Sequence, residues 1–100
     1  MQRPTLRIDK WLWQARFFKN RALAAELAED GHLRINGQPT RKAGHGVGIG
    51  DVLTFPLGAR IRVIRVVALG YRRGPATEAE LLYHDLDAPE GGDAATAPLE

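Results

Sequence analysis

The sequence predicts an α+β fold, two packed N-terminal helices on a small, mainly antiparallel sheet followed by a short C-terminal helix. Three observations carry this. Apolar residues recur at helical spacing from Ile8 to Phe18 and again from Leu23 to Ala28. The segments 32–35, 52–55 and 60–69 are short, apolar and rich in β-branched residues, and turn residues separate them. Finally, a chain of 100 residues with 44% hydrophobic and 26% charged residues is the right size for one modest core.

Residues 1–6 read as a short arm, since Pro4 and mixed polarity give no period. From Ile8 the positions Ile8, Trp11, Leu12, Ala15 and Phe18 share one helical face, with Asp9 favouring the N-terminal end. The pattern halts near Lys19. Asn20 is then a good N-cap for a second helix with the stripe Leu23, Ala24, Leu27 and Ala28, closed by Gly31. A connection this short forces the two helices together.

His32 to Ile35 alternate polar and apolar residues as a half-buried strand does, and Asn36-Gly37 is a tight-turn signal because both tolerate positive φ. Residues 38–50 read as irregular and polar. Val52 to Phe55 form a second strand, Pro56 to Ala59 a turn, and about Arg60 to Leu69 a third strand. Ile61, Val63, Val66 and Val67 do not keep one phase, which predicts a bulge near Val63-Ile64. Gly70 to Pro75 break the sheet. Ala76 to Tyr83 read as a helix, with Thr77 and Glu80 at capping-box spacing and Ala79, Leu82 and Tyr83 inward. The domain is thus expected over residues 1–84. Residues 85–100 are acidic and too poor in apolar side chains to offset the entropy of ordering them, so a disordered tail is expected.

The net charge of +2 hides an asymmetry. Residues 1–84 hold 14 bases against 7 acids, a net of +7, whereas the tail holds 5 acids and no base. A basic body points to a polyanionic partner. Arg7, Lys10, Arg16, Lys19 and Arg21 cluster on the helices and their junction, and Arg34, Arg41 and Lys42 follow around strand and loop. Only Asp9 offers a local acid between Arg7 and Arg21. The alternative is an ordinary solvated helix face. Trp11, Trp13, Phe17 and Phe18 cannot all face one core, because positions 11 and 13 diverge by about 200° on a helix. At least one ring is expected to be partly exposed, where it could stack on an unpaired base or on sugar, and Trp13 is the one singled out. Arg72 and Arg73 read either as a second phosphate clamp or as a solvated turn.

Other chemistries find little support. Without cysteine there is no disulfide or thiolate zinc site, and His32, His45 and His84 lack metal-ligand spacing. The run AGHGVGIGD lacks the Gly-Lys-Ser/Thr ending of a nucleotide-binding loop. No serine is present, and no threonine has a base beside it in sequence, so an enzyme is not expected, nor a cofactor or a small-molecule substrate. No stretch approaches the roughly 20 apolar residues of a membrane span, and the N-terminus lacks the apolar core of a secretory signal. A cytoplasmic, monomeric protein is expected. The rival class is a DNA-binding regulator, since two short helices with a tight junction imitate a helix-turn-helix. Against it, the would-be recognition helix after Arg21 is ALAAELAED, apolar and acidic.

The runs RIDKWLW, KNRALAAELAEDGHLRINGQ and GDVLTF resemble the S4-type RNA-binding domain family over roughly residues 7–55. The pattern DKWLW-x-x-RF-x-K-x-R-A and the later YRRGPATEAELLY extend the likeness to about residue 84, toward a stand-alone, ribosome-associated branch tied to the heat-shock response. The resemblance implies the S4-like (alpha-L) fold. It also implies binding to large-subunit ribosomal RNA, and to subunits left carrying a nascent chain and its tRNA, with a role in recycling them. Its RNA face falls here on Arg7, Lys10, Arg16, Lys19, Asn20, Arg21, Asn36 and Lys42. Longer relatives continue into a basic extension, where residues 85–100 here are acidic.

Overall fold

A computed structural model describes residues 3–87. Its elements run β1 (Leu6–Arg7), α1 (Ile8–Gln14), α2 (Arg21–Glu29), β2 (Leu33–Ile35), β3 (Gln38–Thr40), β4 (Gly46–Val47), β5 (Val52–Leu57), β6 (Arg60–Val66), α3 (Ala76–Ala79), a 3-10 turn over Glu80–Leu82, and β7 (Tyr83–Asp85). All strand pairs are antiparallel, in a five-stranded sheet of order β3-β2-β5-β6-β7 and a two-stranded ribbon β1-β4. This is the α+β architecture the sequence predicts.

The core lies between the helix pair and one sheet face. Ile8, Trp11 and Leu12 of α1 and Ala24 and Ala28 of α2 meet Leu33, Leu53, Phe55, Ile64 and Val66 of the sheet, all essentially inaccessible to solvent. Trp11 buries its whole ring yet keeps its Nε1–H bonded to the Ala68 carbonyl at 3.0 Å, so no donor is stranded. Truncating Trp11 or Phe55 to alanine should cost about 3–5 kcal/mol through lost transfer energy and the cavity left behind.

Local signals set α2 as expected. Asn20 is extended (φ −147°, ψ 163°) and its Oδ1 accepts the Leu23 N–H at 2.9 Å, while Gly31 at φ +81° ends the helix. The apolar stripe is narrower than predicted, because Leu23 is exposed and only Ala24 and Ala28 are fully buried. Asn36 and Gly37 both take positive φ, 54° and 82°, and turn β2 into β3.

Several expectations are corrected. The first helix does not reach Phe18: it ends at Gln14, and Arg16 adopts φ +65°, which no α-helix continues through. The turn swings Phe17 inward against Phe55 and Tyr83, at ring-centroid distances of 5.3 and 4.6 Å. Residues 38–50 are not irregular throughout, since they contain β3 and β4, and the arm's Leu6 pairs with Val47. Pro56 lies within β5, paired with Ile61, and the turn is Gly58-Ala59. Proline is tolerated there because β2 pairs with β5 only at Leu53 and Thr54, leaving Pro56 with a partner on one side.

No bulge interrupts β6, whose register with β5 is continuous from Val52↔Arg65 to Leu57↔Arg60. The apparent phase slip arises because Arg62 occupies an inward position, 5.2 Å over the Phe17 ring and paired with Asp85 and Asp87. The last helix is also shorter. Pro75 precedes it without a side-chain cap, no Thr77–Glu80 capping box forms, and Tyr83 belongs to β7 rather than to a helix. Strand β7 runs to Asp85, and Asp87 accepts the Val63 N–H at 3.1 Å and pairs with Arg60 at 2.6 Å. The rest of the expected tail, residues 88–100, lies outside the described residues.

Candidate nucleic-acid interface

The N-terminus of α1 has no side-chain cap, so its first amides find partners in the loop between β3 and β4. Ile8 N–H donates to the His45 carbonyl at 2.8 Å and Asp9 N–H to the Ala43 carbonyl at 3.2 Å. This brings Gly44 beside Arg7, whose guanidinium carbon would lie 3.5 Å from a Cβ placed there, and Lys42 adjoins Ala43 in the same loop.

Asp9 organises the cations at this junction. Its carboxylate is buried, receives Arg7 Nε and Nη2 at 3.1 Å each, lies 3.5 Å from Arg21 Nη2, and accepts the Lys10 N–H at 2.7 Å. Burial alone raises the Asp9 carboxyl, but the Arg7 hydrogen bonds, the Lys10 amide and the Arg21 charge outweigh it and hold the group below the usual carboxylate range. The same contact raises the Arg7 guanidinium, chiefly through the hydrogen bond to Asp9. Two helix starts are thereby tied together while both arginines keep about half their side-chain surface in solvent, 56% for Arg7 and 43% for Arg21. Lys10, three residues after Arg7, and Lys42, in the loop that caps α1, form no ion pair among the described residues.

Other sequence-predicted site residues stand elsewhere or are already engaged. Lys19 and Asn20 are exposed at the helix junction, although the Asn20 side-chain oxygen is used as the α2 cap. Arg34 projects from the outer sheet face and reaches the Gly37 carbonyl at 3.3 Å. Arg41 lies over Gly31 with Nη1 3.5 Å from the Glu29 carbonyl, where its charge favours the C-terminal end of α2. Asn36 is internal glue. Its Nδ2 donates to Asp51 at 3.1 Å and its Oδ1 accepts the Val52 N–H at 2.9 Å.

Arg16, Arg72 and Arg73 form a separate group around the segment after β6. Arg16 Nε donates to the Gly74 carbonyl at 2.6 Å, and Arg72 pairs with Glu78 at 2.5 Å. Arg73 donates to the carbonyls of Trp13 and Phe18 and sits 5.6 Å over the Trp13 ring. Trp13 is partly exposed, as expected, but Arg73 sits over its ring and braces α1. Sequence reasoning missed Arg3, which clamps Asp51 through Nη2 at 2.9 and 3.0 Å. It also gave Asp9 only a helix-dipole role. The Arg-x-Asp opening and the Gly-Asp before β5 carried both signals.

The fold and this junction define an S4-domain protein: the S4 domain model matches residues 6–53, and the chain belongs to that family. Within the family it is similar to heat shock protein 15 of Escherichia coli K12, 45% identical over 80 residues that cover 80% of this chain and 59% of that protein. The chain thus spans less than two thirds of that relative's length. The RQC P-site tRNA stabilizing factor of Listeria innocua is 38% identical over 65 residues, covering 65% of this chain and 70% of that one. The solved structure of Vibrio cholerae heat shock protein 15, described as trimeric, superposes with a TM-score of 0.77 at 38% identity over 82% of both chains.

Proposed function

We propose that this chain is a non-catalytic RNA-binding protein of the ribosome, which engages structured ribosomal RNA through the cations gathered at the α1–α2 junction. The observation that carries the reading is the buried Asp9 carboxylate holding Arg7 and Arg21 side by side, half-exposed, beside the loop bearing Lys42. Guanidinium groups so fixed meet phosphates without first losing rotamer freedom. Arg7, Lys10, Lys19, Arg21 and Lys42 supply affinity through phosphates, and Arg34 and Arg41 extend the basic surface along the hairpin.

The finer target is large-subunit ribosomal RNA, with tRNA as a second contact, and the role is recycling of subunits that still carry a nascent chain and its tRNA under heat stress. Support comes from the names of the relatives, one a heat shock protein and one a P-site tRNA stabilizing factor. Such a partner places the protein in the cytoplasm, and among the described residues no helix is long and apolar enough to cross a membrane. A monomer is the form proposed for the RNA-binding unit, and the relative from Vibrio cholerae is described as trimeric. The DNA-binding alternative fares poorly, because Glu26, Glu29 and Asp30 line the exposed side of α2 and would repel a duplex backbone.

Titration with large-subunit ribosomal RNA and with duplex DNA at equal salt tests the reading. Tighter binding to the ribosomal RNA, weakening by about 0.7 to 0.9 in log K per log salt for each phosphate contacted, is expected. Preferential binding to the duplex would overturn it.

A further inference from the structure

An open groove of about 240 Å³ runs along α2, lined by Phe18, Leu23, Glu26, Leu27, Asp30 and His32. Leu23, Glu26, Leu27 and Asp30 stand at i, i+3, i+4 and i+7, so one stripe of the helix supplies most of the lining. Phe18 and Leu27 pack against the core, and Leu23 leaves 39% of its surface in solvent. A cavity of about 150 Å³ already admits a benzene ring, so the groove has room for one large apolar side chain.

The acids at this groove work against the helix that carries them. Glu26 and Asp30 are like charges at i and i+4, and Glu29 and Asp30 stand at the C-terminal end of α2, where the macrodipole favours cations. The last turn holds no basic residue. Among the described residues Asp9, Asp51 and Glu78 each hold an arginine, whereas Glu26, Glu29 and Asp30 form no ion pair. Arg41 reaches this end of the helix but donates to the Glu29 carbonyl. An apolar trough rimmed by uncompensated negative charge is complementary to a basic ligand with an apolar anchor, and it repels RNA.

We propose that this groove docks a basic protein segment, its apolar anchor seated between Phe18, Leu23 and Leu27 and its Lys or Arg side chains meeting Glu26 and Asp30. Burial of the anchor supplies affinity, and the flanking charges supply selectivity. Arg21, two residues before Leu23, lies about 200° away around α2. The groove and the Asp9 junction thus face different sides, so a protein segment and an RNA can be held at once. The inference does not depend on the RNA-binding reading.

The test titrates the full chain into the fluorescein-labelled peptides KKLFKK, KKSSKK and EELFEE and reads anisotropy. KKLFKK should bind about tenfold more tightly than KKSSKK, as burial of one large apolar side chain implies, and EELFEE should bind no better than KKSSKK. Leu23→Ser should abolish the preference for the anchor. Glu26→Lys with Asp30→Lys should reverse the charge preference, making EELFEE the tighter ligand. This double variant should stay folded, because both side chains are exposed and lysine suits that end of the helix, so it decides the matter if Leu23→Ser unfolds. Equal affinity for KKLFKK and KKSSKK, or a preference for KKLFKK that survives the charge reversal, would refute the site. Concentration-dependent association of the chain alone, read by sedimentation velocity and removed by Leu23→Ser, would assign the groove to a second copy and overturn the proposal as well.

Discussion

Replacing Asp9 with asparagine sets two physical effects against each other. The substitution removes an acid from the surface proposed to meet phosphates, and long-range electrostatics alone would tighten RNA binding. One charge about 7 Å from a phosphate in a water-like dielectric is worth about 0.6 kcal/mol. The structure points the other way. Asp9 fixes two arginines that would otherwise be ordered only on binding, at about 0.5–1.5 kcal/mol each. Pre-organisation therefore outweighs the lost repulsion, and Asp9→Asn should weaken RNA binding by about 1 kcal/mol, roughly fivefold.

Stability should fall as well. The pairs with Arg7 and Arg21 are screened by solvent and add little, so the loss is chiefly that of the Lys10 amide bond, about 1 kcal/mol. For a domain of this size that is a fall in Tm of about 4–8 °C. Thermal melts and anisotropy on the same samples provide the assay. A folded Asp9→Asn variant that binds RNA more tightly than wild type would refute the reasoning.

Three further outcomes follow from the same contacts. Asn36→Ala should lose about 1–2 kcal/mol in a denaturant titration, since it removes the hydrogen bonds to Asp51 and the Val52 N–H and places alanine at φ 54°, and unchanged stability would contradict the brace. Asp51, like Asp9, is held below its ordinary value: burial raises it, but Arg3, the Gly48 amide and Asn36 lower it further. Because the folded pKa is the lower one, this stabilisation is complete above about pH 3.9 and is lost as pH falls through the native value, so Asp51→Asn should flatten the acid limb of a Tm-against-pH curve. Arg21→Ala should lower the salt slope of RNA binding by about 0.7 to 0.9, one phosphate's share, while leaving the sheet intact.

Features set by neighbouring residues were legible in the sequence. The Asn20 cap, the Gly31 stop and the Asn36-Gly37 turn each depend on conformations a few residues wide, and they stand where the sequence puts them. Features set from a distance were not. The first helix ends early because Arg16 turns toward the Gly74 carbonyl, 58 residues away, and lets Phe17 into the core, while the apolar spacing through Phe18 imitates one more helical turn. The two-residue strands Leu6–Arg7 and Gly46–Val47 exist only through each other, and neither is long enough to show alternation. In the candidate site the cations were visible as composition. Their division was not: Asp9 gathers Arg7 and Arg21 at one end of α1, and main-chain carbonyls draw Arg16 and Arg73 to the other. The trade between solvent and carbonyl for each guanidinium is decided by tertiary structure.

Co-sedimentation of the chain with separated ribosomal subunits across a salt series tests the central claim most directly, with a Lys10→Glu and Arg21→Glu double variant as its control. Wild type is expected to travel with the large subunit at low salt and to leave it steeply as salt rises, and the double variant, still folded by circular dichroism, to remain in the supernatant. A folded double variant that pellets with large subunits as wild type does would show that the junction cations are not the RNA-binding face.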